Sequence, residues 1–343
     1  MRDFRTLECV LRANLTKRGI GHPRLFGSVR PPYKHRWAWP AQACLGLIVK
    51  HWALQLAVIV ASIAVASMSP ADAQTEATSA PAAAKTLLQA LQGGTAASSA
   101  ESTDDNRIDP DRPHFPEAAT TVGLGRAVLE SGYTFSQKTG EQLSHSYPES
   151  LIRVGAFADW FELRVGQNLA SEQRTMGGLT RTSGGFQDLY LGAKIALTEQ
   201  NGLIPTTALI PQMTVPTGSS DETAHRVLAG LNADFSWDIV KDRFGIELLI
   251  ANNQIRDELG GIQYQLATGL TGVFQASRQL ELFAEWDAYY VRGGLASTLP
   301  EHYAVGGLVY FITPNLAVDA RAGVGLNHRS NDVLAGVGFA IRH

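Results

Sequence analysis

Cysteine is nearly absent. The 343 residues contain two, Cys9 and Cys44, and none follows. Past residue 44, neither a disulfide framework nor a Cys-ligated zinc site is available. Long apolar runs are also scarce. Beyond Met68 no stretch reaches 18 consecutive apolar residues, which excludes a spanning helix there. Positive charge is thin in the same region: residues 74–343 carry 19 Lys/Arg against 29 Asp/Glu. That balance argues against nucleic acid as a partner. What remains is an ordinary apolar content of 45% and 33 glycines, most of them after position 120.

The first 73 residues read as an address. Lys50 and His51 precede the apolar run Trp52–Met68, and Ala71-Asp72-Ala73 follows it. A basic flank, a short apolar core and an A-x-A site form the secretory signal pattern, with cleavage expected after Ala73. The run is shorter than the roughly 20 residues of a membrane anchor. Ala41-Gln42-Ala43-Cys44 is only weakly similar to a lipobox, since apolar residues continue well past Cys44. Residues 74–108 are rich in Ala, Ser, Thr and Gln and bury too little to order themselves. They are expected to form a periplasmic arm, with Leu87, Leu88 and Leu91 on one side of a short helix.

From Asp109 to His343 the recurring signal is period two. In QLELFAEWDAYYVR (279–292), Leu280, Leu282, Ala284, Trp286, Ala288 and Tyr290 share one side. Glu281, Phe283, Glu285, Asp287 and Tyr289 share the other. A helix would mix these sets, whereas a strand separates them. Twelve such segments are predicted: 124–135, 144–157, 160–168, 186–197, 203–215, 226–238, 243–253, 261–275, 279–292, 301–311, 315–328 and 332–342. Short connections, such as 158–159, 276–278 and 312–314, alternate with mostly longer ones, such as 136–143, 169–185 and 216–225. Tight turns on one side and long loops on the other characterise an outer-membrane barrel. A secreted β-sandwich also alternates, but gives no reason for that loop pattern. Aromatics near strand ends, among them Tyr133, Phe135, Trp160, Phe161, Phe235, Trp237, Phe274 and Phe311, read as interface girdles. The expected fold is therefore all-β: a closed antiparallel up-and-down transmembrane barrel of about twelve strands over 109–343, entered through the stretch from Asp109.

Several motifs carry a family resemblance. They are Asp111-Arg112-Pro113-His114-Phe115, GRAVLESGYTFS at 125–136, Pro148 to Gly155, Phe161-Glu162-Leu163-Arg164, Gly185 to Lys194, and Val215-Pro216-Thr217-Gly218. In this order they resemble the outer-membrane transporters filed under the phenol meta-pathway degradation heading, over about 109–343. The resemblance implies a barrel in the outer membrane and says little about substrate. Chains of that family usually end in an aromatic residue read by the assembly machinery. This one ends in Arg342-His343, with Phe339 and Ile341 keeping the alternation.

The inward faces hold Arg126, Glu130, Glu149, Arg153, Glu162, Arg164, Asp188, Lys194, Asp234, Glu247, Glu285, Asp287, Asp319 and Arg321. Such a set either lines a polar pathway or pairs with itself to fill the lumen. Barrels of eight strands are filled, and those of 16–18 hold a channel. Twelve strands imply a narrow pore. His328-Arg329-Ser330-Asn331 is similar to the His-x-Ser-Asn motif of outer-membrane phospholipase A and of lipid A deacylases. If residues 328 and 330 were in a strand they would share a face, and His328 would stand where it activates Ser330. The same residue types also favour a hairpin turn, and no third residue stands out to orient the histidine. His145, His225 and His302 read as exposed loop residues rather than metal ligands. The sequence thus predicts a passive narrow channel for small solutes, with an aromatic or apolar preference resting on the family heading alone. The alternatives are a lipid hydrolase using His328 and Ser330, and a structural barrel without an open pore. Expected partners are outer-membrane lipids, the barrel-assembly machinery and a small-molecule solute, with no cofactor or metal.

Overall fold

The computed structural model describes residues 84–92, 107–257, 260–293 and 299–343. The expected leader, Cys44 and most of the expected arm over 74–108 lie outside the described residues. Within the arm stands one helical turn, α1 (Leu87–Leu91), opened by a capping box in which Thr86 and Gln89 exchange side-chain and backbone bonds. Gln89 also donates to Glu199 at 2.8 Å.

The strands are β1 (Ala127–Lys138), β2 (Gln142–Gly155), β3 (Phe161–Met176), β4 (Leu179–Phe186), β5 (Leu189–Thr198), β6 (Thr206–Val215) and β7 (Leu228–Val240). They continue with β8 (Phe244–Arg256), β9 (Ile262–Gln275), β10 (Leu280–Arg292), β11 (Glu301–Thr313), β12 (Leu316–Gly325) and β13 (Val333–Arg342). All pair antiparallel with their neighbours, and β1 closes the sheet on β13 in the register Val128↔Arg342. Thirteen strands fill twelve positions. β5 pairs with the first part of β3, β4 pairs with the rest of it, and Gln187-Asp188 divides them. The result is a closed twelve-position barrel, from which β4 projects paired on one side only, to β3. Among the described residues no helix is long and apolar enough to cross a membrane.

Alternation sorts the two faces as period two requires. On β10, Phe283, Glu285 and Asp287 are buried inside while Leu282 and Trp286 are exposed outside. Leu270, Leu308, Val318, Val337 and Ile341 extend this exposed apolar wall around the cylinder. In water so wide an apolar surface would associate; in hydrocarbon it is the required exterior. Aromatic pairs flank it. Phe157, Trp160 and Phe161 cluster at the tight-turn end, with Phe235 and Trp237. Tyr133, His145, Tyr147, Trp286, Tyr290 and His302 gather toward the other end.

Four expectations are corrected. The predicted loop over 169–185 is mostly strand: β3 and β4 extend beyond the barrel wall as a hairpin turning at Gly177 and Gly178, both at positive φ. The predicted loop over 136–143 shrinks to the turn between Lys138 and Gln142. Phe311 is no girdle residue. It is buried inside against Ile108, with the Arg107 guanidinium 3.8 Å above its ring. His145 and His302 lie on strands, where they stack on outward aromatics, and not in loops.

Candidate functional site

The stretch between the arm and β1 folds into the barrel. Ile108 donates its N–H to the carbonyl of Pro314, in the turn after β11, and Thr121 bonds the carbonyl of Asp159, in the turn after β2. Both ends of the stretch are thus tied to the tight-turn rim, and the residues between them form a loop reaching up into the lumen. Pro110, Pro113 and Pro116 explain why it is not another strand. Each lacks a donor for the ladder, and the three recur too closely for pairing.

A non-strand segment buried this way must find partners for its backbone, and the barrel's charged side chains supply them. Glu130 accepts from the N–H groups of Asp111 and Arg112, at 3.0 and 3.1 Å. Glu285 accepts from Phe115 at 2.7 Å, Asp234 from Glu117 at 3.1 Å and Glu162 from Val122 at 3.0 Å. The cations do the converse. Arg153 donates to the carbonyl of Asp109, Arg321 to that of Pro113 and Lys194 to that of Ala118, at 2.9, 2.7 and 2.7 Å. Carboxylates take the loop's N–H groups and cations its carbonyls.

The loop's own charges complete the network. Asp111 receives Lys194 at 2.7 Å, Arg164 at 2.6 Å and Arg153 at 3.2 Å. Arg153 reaches on to Glu162 and Glu130, and all three are fully buried. Glu117 pairs with Arg164 at 2.6 Å. Arg112 spans from Glu149, at 2.7 Å, to Asp319, at 3.4 Å. Its guanidinium lies over Gly132 and Gly338, which face each other across the β1–β13 seam, and a Cβ at either would overlap it. His114 packs edge-on to Phe283, with Nδ1 3.2 Å from Glu247.

Eleven of the fourteen candidate lumen residues therefore meet this loop: Glu130, Glu149, Arg153, Glu162, Arg164, Lys194, Asp234, Glu247, Glu285, Asp319 and Arg321. Three do not. Arg126 precedes β1 and is exposed, a correction that follows from β1 beginning at Ala127, three residues later than predicted. Asp188, at the β4–β5 break, accepts from the N–H groups of Gly218 and Ala224 and so anchors the loop over 216–227. Asp287 is buried with Oδ1 unpartnered. The loop residues Asp111, Arg112, His114 and Glu117 were outside the predicted set because they precede the first strand and belong to no alternation. The proline at every third position, with charges between, was the available signal.

The lipolytic arrangement is also absent from its expected geometry. β12 ends at Gly325, so residues 328 and 330 lie in the turn, where the strand argument does not apply. Ser330 is buried; its Oγ donates to the carbonyl of His302 at 2.8 Å and accepts from His302 N–H at 2.9 Å. His328 is exposed, its carbonyl accepting from Lys138. Among the described residues no cluster of three His, Cys, Asp or Glu side chains has metal-holding geometry.

The inserted loop borders a cavity, and a smaller one opens on the β7–β9 wall. The first, of about 690 Å³, lies on the long-hairpin side, bounded by Arg112, Phe115 and Glu117 of the loop and by Asn232, Leu249 and Tyr289 of the wall. The other, about 220 Å³, opens at the tight-turn rim beside Ser236, Glu247 and Val273.

The family described as "Putative MetA-pathway of phenol degradation" matches residues 110–343, the inserted loop included. The chain belongs to that family. Among solved structures it is similar to an outer membrane channel from Pseudomonas putida F1, at 13% identity and a TM-score of 0.54, over 67% of this chain and 100% of that one. The NanC porin aligns at 13% identity and a TM-score of 0.38, over 63% and 98% of the two chains. The transport unit of the autotransporter AIDA-I from Escherichia coli aligns at 9% and 0.40, over 64% and 89%. No curated protein matches. The fold is that of an outer-membrane β-barrel.

Proposed function

We propose that the chain, exported by a leader cleaved after Ala73, is a passive outer-membrane channel for small solutes. Its path follows the β7–β8 side of the lumen. The supporting observation is the placement of the two cavities. Along β8 the larger reaches Leu249 and the smaller reaches Glu247, and these are successive inward residues. At the junction stand His114, Glu117 and Asp234. On this reading the inserted loop is the constriction. The family's description supports aromatic solutes as the first class to try.

The competing reading is a barrel with no open path, which the dense ionic packing of the loop favours. Single-channel conductance of the refolded protein separates the two, with heat-modifiable gel mobility certifying the fold. Discrete steps that shrink in Leu249→Trp support the channel. Folded protein that stays silent in the bilayer sinks it.

A further inference from the structure

The larger cavity has two unlike walls. One is apolar and aromatic: Phe115 and Tyr289 meet with ring centroids 5.1 Å apart and planes tilted by 47°, and both pack on the buried cluster of Leu249, Ala251 and Ala267. The other is made of amides. Gln212 donates from Nε2 to Asn253 Oδ1 at 2.8 Å and to Asn232 Oδ1 at 3.2 Å. Asn253 Nδ2 also donates to Asn232 Oδ1, at 3.3 Å. Asn232 Oδ1 thereby accepts twice and Asn253 Oδ1 once, while Asn232 keeps both of its N–H donors and Asn253 one for a ligand. Gly230 leaves the room that Asn253 uses, since a Cβ there would overlap its amide.

Most of the charge on this cavity's floor is paired, and Arg321 is held there by the carbonyl of Pro113 and by Thr134 rather than by a carboxylate. Arg112 is held by Glu149 and Asp319, and Arg164 by Asp111 and Glu117. Toward the mouth stand Arg256, which donates to the carbonyl of Thr223, and Glu222, one of each sign. A volume of about 690 Å³ suits a small molecule. Apolar walls with a few placed donors are how such sites select.

We infer that this vestibule is a binding site for small uncharged molecules that combine a planar apolar face with a carbonyl or hydroxyl oxygen. The planar face lies against Phe115 and Tyr289, and the oxygen accepts from Asn232 and Asn253. Gln212 is a positioning residue that fixes both amides. The inference deepens the channel reading, on which it rests for the role of the vestibule as an entry, but binding is measured apart from flux.

The test uses the full chain in lipid nanodiscs, titrated by ligand-observed NMR with benzamide, with its anionic counterpart benzoate and with the non-planar cyclohexanecarboxamide. Benzamide is expected to bind about tenfold more tightly than either, and Asn232→Leu to weaken it about tenfold, the worth of one well-placed hydrogen bond. Asn232→Asp keeps the shape while removing the N–H donors, and gives the same loss should the leucine variant fold poorly. Tyr289→Leu removes the preference for the planar probe. Benzoate binding as tightly as benzamide, or benzamide binding unchanged in both Asn232 variants, overturns the site. Benzamide bound to a protein silent in bilayers supports the site while overturning the channel. Conductance without benzamide binding overturns the site alone.

Discussion

Asp111 holds three cations at once and is itself almost fully buried. Breaking such a network by removing one member leaves charges buried without compensation, at about 3–5 kcal/mol. Asp111→Ala is therefore expected to lower the unfolding free energy of the barrel by that order, read as loss of heat-modifiable mobility at a lower urea concentration. Replacing a buried ion pair by well-packed apolar residues is often neutral, so Asp111→Leu alone is no rescue; the cations must go with it. Gly338 offers a subtler change. A side chain there displaces the Arg112 guanidinium from Glu149 and Asp319. Gly338→Val is expected to leave the barrel closed, since valine suits a strand. The amides of Asp111 and Arg112 should then exchange hydrogen faster, as the loop loosens its hold on Glu130. Unchanged protection at those two amides would show that Arg112 does not set the loop's position.

At the scale of elements, most strands were readable within two to three residues, because lipid and lumen impose opposite polarity on successive side chains. The faces of β10 and β12 were assigned correctly for that reason. The misreadings have physical causes. Glu172, Arg174, Thr180 and Arg181 belong to a hairpin beyond the wall, with no apolar face to advertise it as strand. On β2 the register shifts between Tyr147 and Ser150, so Glu149 faces the lumen while Tyr147 and His145 stay outside. Strict alternation through Pro148 misses such a bulge. The inserted loop was invisible for a third reason: its conformation follows from partners spread over eight strands, and no local pattern encodes those. Asp188 acts at this same scale. Asp188→Ala removes the acceptor for Gly218 and Ala224 and is expected to free the loop over 216–227, seen as faster exchange at those amides with barrel stability unchanged. A matching loss of urea stability would mean that Asp188 supports the wall instead.

For the whole molecule, loop and lumen match charge by charge, Asp111 and Glu117 meeting lumen cations and Arg112 meeting lumen carboxylates, although both are net acidic. Without the loop, the inward carboxylates Glu130, Glu149, Glu162, Asp234, Glu247, Glu285, Asp287 and Asp319 outnumber Arg153, Arg164, Lys194 and Arg321. A chain lacking residues 109–120 is therefore expected to conduct more and to prefer cations. The reversal potential in a salt gradient measures this, and anion preference would contradict the pairing scheme. The same chain should unfold at lower urea, since its inward carboxylates and cations lose their partners in the loop.

The docking of the loop also constrains the order in which the molecule is assembled. Its stretch of sequence is made before any strand, yet its partners run from Glu130 on β1 to Asp319 and Arg321 on β12. Arg112 meets Glu149 on β2 early, but it reaches Asp319 and its place over Gly132 and Gly338 only once β12 and β13 have closed the seam. The first part of the barrel to leave the ribosome is thus the last to find its place. A chain stalled before β12 would leave Arg112 without Asp319 and the carbonyl of Pro113 without Arg321, a chemical mark that distinguishes an unfinished cylinder from a finished one.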